Sequence, residues 1–311
     1  QGEQIDNDDM AEGVRTARIE TTLAAAGTVR ILATSLGARE TGTYEVTIEG
    51  AASYLNQDSS QAGTTEWTYW AIICGITSYG GEANDLDRCR QDAEKLAGGL
   101  IYDGVLHTDR TVMLVDAEAT AENIRAAFGR MAGQVGPDDV FLFFFSGHGG
   151  QTRVGCAPGE ADERDEFILT RGGRISAAEM CGRFDSIPAK LSILCLDSCF
   201  SGGFSKDVIV RPRRMGIFSS QEDLTSAVAA NFRAGGYLSY FFRRAIRGEA
   251  DADGNRVITI GEMSKFLEDS FAPLQVESVT MEEVPGGYQR LVLDRGGVRI
   301  DEVLTRVAEP E

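Results

Sequence analysis

Two apolar segments of the sequence each end on a side chain that can take part in covalent chemistry. The segment VFLFFFSGHGG (140–150) carries His148, one of two histidines in the chain, and LSILCLDSCFSGGF (191–204) carries Cys199. A thiol becomes a good nucleophile when it loses its proton, and a neighbouring imidazole can accept that proton and later donate one to a leaving amine. The pair predicts thiol catalysis. The alternative is a histidine and a cysteine that only pack in the core.

The sequence also contains the elements that would bring these two side chains together. Continuous apolar runs, typical of strands covered on both faces of a parallel sheet, alternate with helical patterns such as the one after the N-cap residue Thr120. The runs are WAIICGI (70–76), TVMLVD (111–116), VFLFFF (140–145), LSILCL (191–196) and MGIFSS (215–220), with another near QRLVLD (289–294). We therefore expect an α/β fold with a mostly parallel sheet of about six strands.

Both reactive residues follow the carboxyl end of an apolar run, where it meets a glycine-rich turn. Functional residues collect at the carboxyl ends of the strands in open α/β sheets, so neighbouring strands would place the thiol beside the imidazole. The glycines leave room for a substrate backbone. The backbone N–H groups of Gly149 and Cys199 are the candidates for an oxyanion hole.

Composition narrows the classes of function. The chain has 311 residues, enough for one large domain and a smaller one, and its 48 acidic and 30 basic residues give a net charge of −18. That charge argues against nucleic acid or an anionic membrane as a partner and suits cationic substrates. No apolar run approaches the roughly 20 residues that span a bilayer.

The cysteines do not form a metal-binding pattern. They are Cys74, Cys89, Cys156, Cys181, Cys195 and Cys199, with no CxxC pair among them, so a metal cluster is not expected. Cys74 and Cys195 lie within apolar runs and are expected to act as small core residues. Whether Cys156 and Cys181 pair in an oxidising compartment is left open by the sequence.

The chain divides by pattern into an N-terminal β segment and an α/β domain. Within residues 1–50, TVRILATS (28–35) and TYEVTIEG (43–50) alternate apolar and polar residues, which predicts half-buried antiparallel strands. The polar stretch 51–66 is expected to be a linker. Residues 67–311 are expected to form the α/β domain.

The two reactive segments resemble those of a known family. FFFSGHGGQ (143–151) and LDSCFSGGF (196–204) are similar to the motifs of caspase-like cysteine peptidases of the metacaspase, paracaspase and bacterial orthocaspase group. The resemblance covers about residues 67–267, and the 51 residues between His148 and Cys199 are close to the caspase spacing of about 50. The caspase pentapeptide QACRG is absent, so the likeness is to the metacaspase side. It implies a caspase-like three-layer fold and a cysteine endopeptidase with a Cys199–His148 dyad.

The resemblance also implies a substrate preference. In metacaspases the acid two residues before the nucleophile and an acid on the helix after the first strand line the S1 pocket, and Asp197 and Asp92 match them. Two carboxylates would bind an Arg or Lys side chain at P1 and repel an aspartate. Glu222 or Asp223 is a third candidate for this pocket. For Asp92 the alternative is a solvated helix position.

The thiol chemistry needs no cofactor, but the resemblance raises calcium as an activator. Many metacaspases bind calcium through acids in the loop after the histidine, and a solvated acidic loop is the alternative. The acids of GEADERDEF (159–167) are the candidates here: Glu160, Asp162, Asp165 and Glu166. A second acidic segment, DADGNRVITIGE (251–262), is similar to an EF-hand loop, but Arg256 stands where that loop requires glycine. We therefore expect a turn that leads into a helix.

A basic stretch separates the large-subunit part (67–205) from the small-subunit part (215–311). An exposed basic loop over 206–214, in a peptidase that prefers basic P1 residues, is a candidate for autoprocessing; an ordinary surface loop is the alternative. The candidate cleavage sites follow Arg211, Arg213 and Arg214, and Pro212 disfavours the first.

Residues 1–50 resemble the latter strands of the bacterial pre-peptidase C-terminal domain, a β-sandwich usually attached to secreted peptidases. This resemblance implies export to the periplasm or out of the cell, with the cytoplasm as the alternative.

Two other functions are weighed against the basic-specific peptidase. A catalytically silent caspase-like scaffold that binds protein partners would not need both His148 and Cys199. A peptidase that prefers acidic P1 residues would not have Asp197 and Asp92 in its pocket. The expected partners are therefore protein or peptide substrates with a basic P1 residue.

Overall fold

The computed structural model describes residues 68–152 and 164–307, except residues 228, 230, 231, 233 and 281. The predicted N-terminal strands and linker lie outside the described residues, as do Cys156, Glu160 and Asp162.

The described residues form thirteen strands and five α-helices. The strands are β1 (Tyr69–Gly75), β2 (Thr111–Val115), β3 (Val140–Ser146), β4 (Gly149–Thr152), β5 (Asp165–Thr170), β6 (Gly173–Ser176), β7 (Leu191–Asp197), β8 (Arg214–Phe218), β9 (Val257–Thr259), β10 (Glu277–Val279), β11 (Pro285–Tyr288), β12 (Val292–Asp294) and β13 (Val303–Arg306). The helices are α1 (Cys89–Tyr102), α2 (Ala121–Ala132), α3 (Ala177–Asp185), α4 (Tyr237–Arg244) and α5 (Ile260–Phe271).

A six-stranded sheet with the order β12-β8-β7-β3-β1-β2 forms the centre of the fold. Five of its strands are parallel, and β12 pairs antiparallel to β8 at one edge. Each strand coincides with one of the apolar runs in the sequence, so the predicted mostly parallel sheet is confirmed. The two central strands β3 and β7 are buried along their whole length, which explains why their sequences do not alternate.

The strand β3 supplies aromatic side chains to the cores on both faces of the sheet. Phe141 and Phe143 pack against Phe128 of α2 on one face, and Phe144 stacks on Phe242 of α4 on the other. Burial of each such side chain contributes about 1.5–3 kcal/mol. The core on the first face includes α2 and α3, and the core on the other includes α1, α4 and α5. The result is the predicted three-layer α/β arrangement.

Local signals in the sequence fix the starts of three helices. Side chains of Thr120, Ser176 and Thr259 accept hydrogen bonds from the third residue of α2, α3 and α5, respectively. In α5 the third residue, Glu262, also accepts from the backbone of Thr259 and completes a capping box. None of the helices in the described part of the chain is long and apolar enough to cross a bilayer.

The register of the central strands determines where the two reactive residues lie along the strand direction. Strands β3 and β7 are parallel neighbours, with Ser146 opposite Asp197. His148 and Cys199 each follow these paired residues by two positions. The sheet therefore delivers both residues to the same point on its carboxyl edge, as the sequence predicted.

Candidate active site

Cys199 lies on a tight turn directly after β7. The next residue, Phe200, has left-handed backbone angles (φ 57°), which are costly for a residue with a side chain, by roughly 1–3 kcal/mol. The turn is held by the segment after β8: the backbone N–H of Ser198 donates to Oγ of Ser219 (3.1 Å), and that of Gly202 donates to the carbonyl of Ser220 (3.0 Å). A rigid support of this kind keeps the thiol at a fixed place above the sheet.

The thiol of Cys199 contacts the backbone of Ser226. Its Sγ accepts from the Ser226 N–H (3.3 Å) and lies 3.6 Å from the Ser226 carbonyl oxygen. Burial raises the pKa of the thiol, the Ser226 N–H lowers it, and the nearby negative charge of Asp197 raises it. The net shift is upward, so the resting group is a neutral thiol that needs a base to become a nucleophile.

His148 is held from two sides. Its backbone N–H donates to the hydroxyl of Tyr79 (2.8 Å), and the two rings lie 4.8 Å apart. On its other side the imidazole Nε2 lies 2.9 Å from the carbonyl oxygen of Asn84. Because a carbonyl only accepts hydrogen bonds, this contact assigns the proton to Nε2 and leaves Nδ1 as the basic nitrogen.

The loop after β1 that carries Tyr79 is fixed by two aspartates. At the end of β2, Asp116 accepts from the backbone N–H groups of Thr77 (2.8 Å) and Ser78 (2.9 Å). Asp85 accepts from the backbone N–H of Tyr79 (2.7 Å). Sequence reasoning missed Tyr79 and Asn84. The available signal was their position after β1, which adjoins β3 and so ends at the same edge of the sheet.

His148 and Cys199 line one cleft. The other residues that line it are Leu86, Cys89, Gly147, Asp197, Ser198, Ser226, Ala227 and Gly235. Gly149 lies directly against the nucleophile turn, since a Cβ there would be 2.1 Å from the carbonyl oxygen of Cys199. The two residues predicted to form an oxyanion hole are thus in contact.

Asp197, the last residue of β7, is the carboxylate that faces this cleft. It is 5% exposed, and its Oδ2 accepts from the backbone N–H of Ser239 in the first turn of α4 (2.6 Å). Its other oxygen lies 3.5 Å from the hydroxyl of Ser226. Only glycine fits at 236, because a Cβ there would lie 2.0 Å from the Asp197 carboxylate. Burial raises the pKa of Asp197, and the Ser239 hydrogen bond opposes that shift.

Asp92 lies behind the wall of the cleft rather than on its surface. It is 4% exposed on the first turn of α1, and its Oδ2 accepts from the backbone N–H groups of Gly235 (2.8 Å) and Gly236 (3.2 Å). Burial raises the pKa of Asp92 to about 7, and the negative charge of Asp197 adds to the shift. Asp92 is therefore a buried acid beside the cleft and not the solvated helix charge of the alternative interpretation.

Glu222 and Asp223, the other predicted pocket acids, do not line this cleft. Asp223 is exposed. The carboxylate of Glu222 lies 3.0 Å from the ammonium of Lys206. Of the four predicted pocket acids, the structure brings only Asp197 and Asp92 to the cleft.

The described calcium candidates lie in β5. Glu166 is fully buried, with Lys206 Nζ at 3.1 Å and Gln151 Nε2 at 3.0 Å from its oxygens. Asp165 is partly buried, which raises its pKa. The second acidic segment forms the predicted turn, which is followed by the short strand β9 and then by α5.

The acidic groups of that turn approach one another, and local hydrogen bonds occupy them. Carboxylate oxygens of Asp251, Asp253 and Glu262 lie within 4.8 Å of one another. Asp251 accepts from the N–H of Arg256 (2.9 Å), and Glu262 belongs to the capping box of α5.

The predicted basic loop over 206–214 is shorter than expected. Residues Ser205–Ile209 form a helical turn, and β8 begins at Arg214. Arg214 is 5% exposed, with its guanidinium 2.6 Å from Asp185 and over the ring of Phe184. The prediction of an exposed Arg214 is wrong, because an ion pair and an aromatic face compensate the burial of its charge. Arg211 and Arg213 are exposed.

The sequence of residues 68–281 matches the family model of the caspase domain, and the chain belongs to this family of cysteine peptidases. Metacaspase-1 of Schizosaccharomyces pombe is 30% identical over 176 residues, which are 52% of this chain and 40% of that protein. The chain thus spans about two fifths of the length of that curated relative. The crystal structure of protein GSU0716 from Geobacter sulfurreducens covers 78% of this chain and 100% of its own, with a TM-score of 0.53 and 17% identity. At that identity the likeness concerns the fold alone.

Proposed function

We propose that this chain is an endopeptidase that cleaves after Arg or Lys, with Cys199 as the nucleophile and His148 as the general acid and base. The observation that carries the proposal is the cleft shared by Cys199, His148 and the buried carboxylate of Asp197. A caspase domain that served only as a binding scaffold would have no need to keep these three groups together.

The proposed reaction begins with transfer of the Cys199 proton to Nδ1 of His148. The Sγ then attacks the carbonyl carbon of the P1 residue, and the electron pair of the C=O bond moves to its oxygen. When the C–N bond breaks, the imidazolium gives its proton to the leaving amine and an acyl-enzyme remains. Water, deprotonated by His148, hydrolyses the thioester and restores the thiol. The Nε2 contact with Asn84 supports this order of events, since it keeps Nδ1 free to accept the proton.

The oxyanion formed in both steps is assigned to the backbone N–H groups of Gly149 and Cys199. The close packing of Gly149 against the turn that carries Cys199 supports this assignment, because an oxyanion hole needs its two donors near the same point.

A basic P1 side chain is favoured by the charges of the cleft. Asp197 lines the cleft, and Asp92 adds a second buried carboxylate behind Gly235. A guanidinium or ammonium bound there supplies the positive charge that would favour ionisation of both acids, whereas an aspartate at P1 would add a third negative charge. Asp197 is proposed to contact the P1 side chain directly, and Asp92 to act mainly through its charge.

Autoprocessing in the basic loop is proposed to follow Arg213, with Arg211 as a slower site because Pro212 comes next. Both arginines are exposed. Arg214 is a poor site, because its side chain would first have to leave its contacts with Asp185 and Phe184.

The proposal is tested with fluorogenic peptides that end in Arg, Lys or Asp, each with calcium and with chelator. We expect release after Arg and Lys that Cys199→Ala abolishes, and no release after Asp. Asp197→Asn should lower kcat/KM for Arg by an amount that corresponds to about 2–5 kcal/mol of lost transition-state binding, as for removal of one partner of a buried charge pair. The rate of Cys199 alkylation should not fall to the same extent. Asp223→Asn, at an exposed position, is the matched control. If a folded, reduced protein cleaves none of the three peptides, the result would favour a catalytically silent scaffold that binds protein partners.

A further inference from the structure

The side chain of Lys206 joins three segments around the nucleophile turn. This residue lies on the helical turn Ser205–Ile209, which follows Cys199 in the chain. Its ammonium lies 3.1 Å from Oε2 of Glu166, 3.0 Å from Oε1 of Glu222 and 3.3 Å from the carbonyl oxygen of Arg164. The first of these oxygens belongs to β5, the second to the segment after β8, and the third to the residue that precedes β5. One cation therefore holds together parts of the chain that are remote in sequence.

Glu166 is the buried centre of this arrangement. Its side chain is fully buried, and its Oε1 accepts from Nε2 of Gln151 (3.0 Å). Gln151 lies on β4, three residues after His148, and also donates to the carbonyl oxygen of Glu222. The nucleophile turn rests on the same carboxylate, since a Cβ at Gly203 would lie 2.3 Å from Cδ of Glu166. The contacts thus link the strand that follows His148 to the turn that carries Cys199.

A calcium ion bound by Glu166 and Glu222 does not fit this arrangement. Calcium requires six to eight oxygen ligands, and an ammonium already lies beside the carboxylate of Glu166. A metal there would face the positive charge of Lys206 and would have to displace it from both Glu166 and Glu222. An isolated buried carboxylate is strongly unfavourable, so some cation is needed at this place, and the chain supplies one itself.

We propose that Lys206 is a positioning residue that takes the role of an activating cation: its ammonium holds Glu166, and through it the Cys199 turn, in the arrangement required for catalysis without calcium. The proposal rests on the proposed peptidase activity for its kinetic readout, but not for its other measurements.

The experiment compares Lys206→Met, which keeps the length of the side chain and removes the charge, with Lys206→Arg, which keeps the charge. Lys265→Met is the matched control, since Lys265 is exposed and pairs with Asp269 on α5. For each protein we would measure kcat and KM on an Arg peptide, the rate of Cys199 alkylation by iodoacetamide at the peptide level, and the melting temperature. Every assay is run with chelator and with millimolar calcium.

We expect Lys206→Met to lower both kcat and the alkylation rate by roughly tenfold to a hundredfold, as for loss of a residue that orients the groups of a site. Lys206→Arg should retain most of both, and Lys265→Met should match the wild type. Calcium should not change the wild-type rates. Unchanged rates in Lys206→Met would overturn the proposal, as would a wild-type protein that calcium activates by about tenfold or more.

The experiment also tests the proposal if Lys206→Met does not fold or if the wild type cleaves no peptide. If Lys206→Met does not fold at the assay temperature, the comparison of Lys206→Arg with the wild type in chelator decides: near-equal rates support the proposal, and dependence of either protein on calcium contradicts it. If the wild type cleaves no peptide, the alkylation rates and melting temperatures still test the role of Lys206, because neither requires peptidase activity.

Discussion

Both backbone polar groups of Ser226 contact the thiol of Cys199. The N–H and the carbonyl of this one residue lie 3.3 and 3.6 Å from Sγ, and its hydroxyl lies 3.5 Å from Asp197. A single residue of the segment after β8 thus contacts both the proposed nucleophile and the proposed P1-binding acid. The position of Ser226 therefore couples the reactivity of the thiol to the shape of the pocket.

Gln289 holds this segment in place, and its loss should impair the site. The buried side chain donates to the carbonyl oxygen of Ser219 (2.7 Å) and to the hydroxyl of Ser226 (3.0 Å), and it accepts from the N–H of Ala227 (2.9 Å). Gln289→Ala leaves these groups without their partner, at a cost of about 1–3 kcal/mol in stability. We expect a lower melting temperature, slower alkylation of Cys199 and a higher KM for Arg peptides.

The matched control for this variant is Gln134→Ala, because Gln134 is exposed and is remote from Gln289 in the sequence. A Gln289→Ala protein that is destabilised but alkylates at the wild-type rate and binds substrate normally would show that Gln289 serves the fold alone.

Asp92 should make substrate binding dependent on pH near neutrality. Burial raises its pKa to about 7 from an ordinary value of 3.8. A cationic P1 side chain favours the ionised acid, so kcat/KM for Arg should fall as pH decreases below 7, by at most about tenfold for each pH unit. Asp92→Asn removes this titration, so its kcat/KM should depend less on pH in this range than that of the wild type.

The same shift has the opposite effect on stability. The folded protein holds a proton on Asp92 that the unfolded chain has lost, between about pH 4 and pH 7. The free energy of unfolding therefore decreases as pH rises through this range. Chemical denaturation of the wild type and of Asp92→Asn at several pH values would measure the difference. An equal pH dependence in the two proteins would mean that Asp92 is already ionised in the free protein.

Tyr79 is predicted to act on His148 without touching the substrate. Tyr79→Phe keeps the ring contact and removes the hydroxyl that accepts from the His148 N–H, so a partly buried donor loses its partner. We expect kcat to fall by roughly tenfold with little change in KM, and Tyr79→Ala to lose more. Steady-state kinetics checks both values. Tyr102→Phe is the control, because Tyr102 is 75% exposed; an unchanged kcat in Tyr79→Phe would leave only the ring as a support for His148.

The sequence predicted those parts of the molecule whose signals are local. Long apolar runs identified all six strands of the central sheet, and the rule of carboxyl strand ends placed His148 and Cys199 together. The N-cap residue Thr120 predicted where α2 begins. Each of these signals depends on a few adjacent residues, and burial in the folded protein reinforces it.

The parts that sequence reasoning missed depend on contacts between remote segments. Nothing near Gln289 or Lys206 in the sequence shows that one supports Ser226 and the other pairs with Glu166. The burial of Arg214 had the same origin, since its compensating partner Asp185 is 29 residues away. Polar side chains that are buried through such pairs look like surface residues in the sequence.

Processing at the basic loop, if this chain is its own substrate, should occur between molecules. The carbonyl of Arg213 accepts from the N–H of Ser192 (2.9 Å) at the start of β7, whereas Cys199 lies beyond the other end of that strand. The seven residues of β7 separate the two points by roughly 20 Å, so the loop cannot reach the cleft of its own molecule unless β8 leaves its place between β7 and β12. We expect Cys199→Ala protein to be cut only when active protein is added, at a rate that rises with the concentration of active protein.

Arg213→Gln in the Cys199→Ala protein should remove the main fragment, whereas Arg256→Gln, at an exposed turn, should not. A cleavage rate that stays constant when active protein alone is diluted would instead establish an intramolecular reaction and a β8 that can leave the sheet.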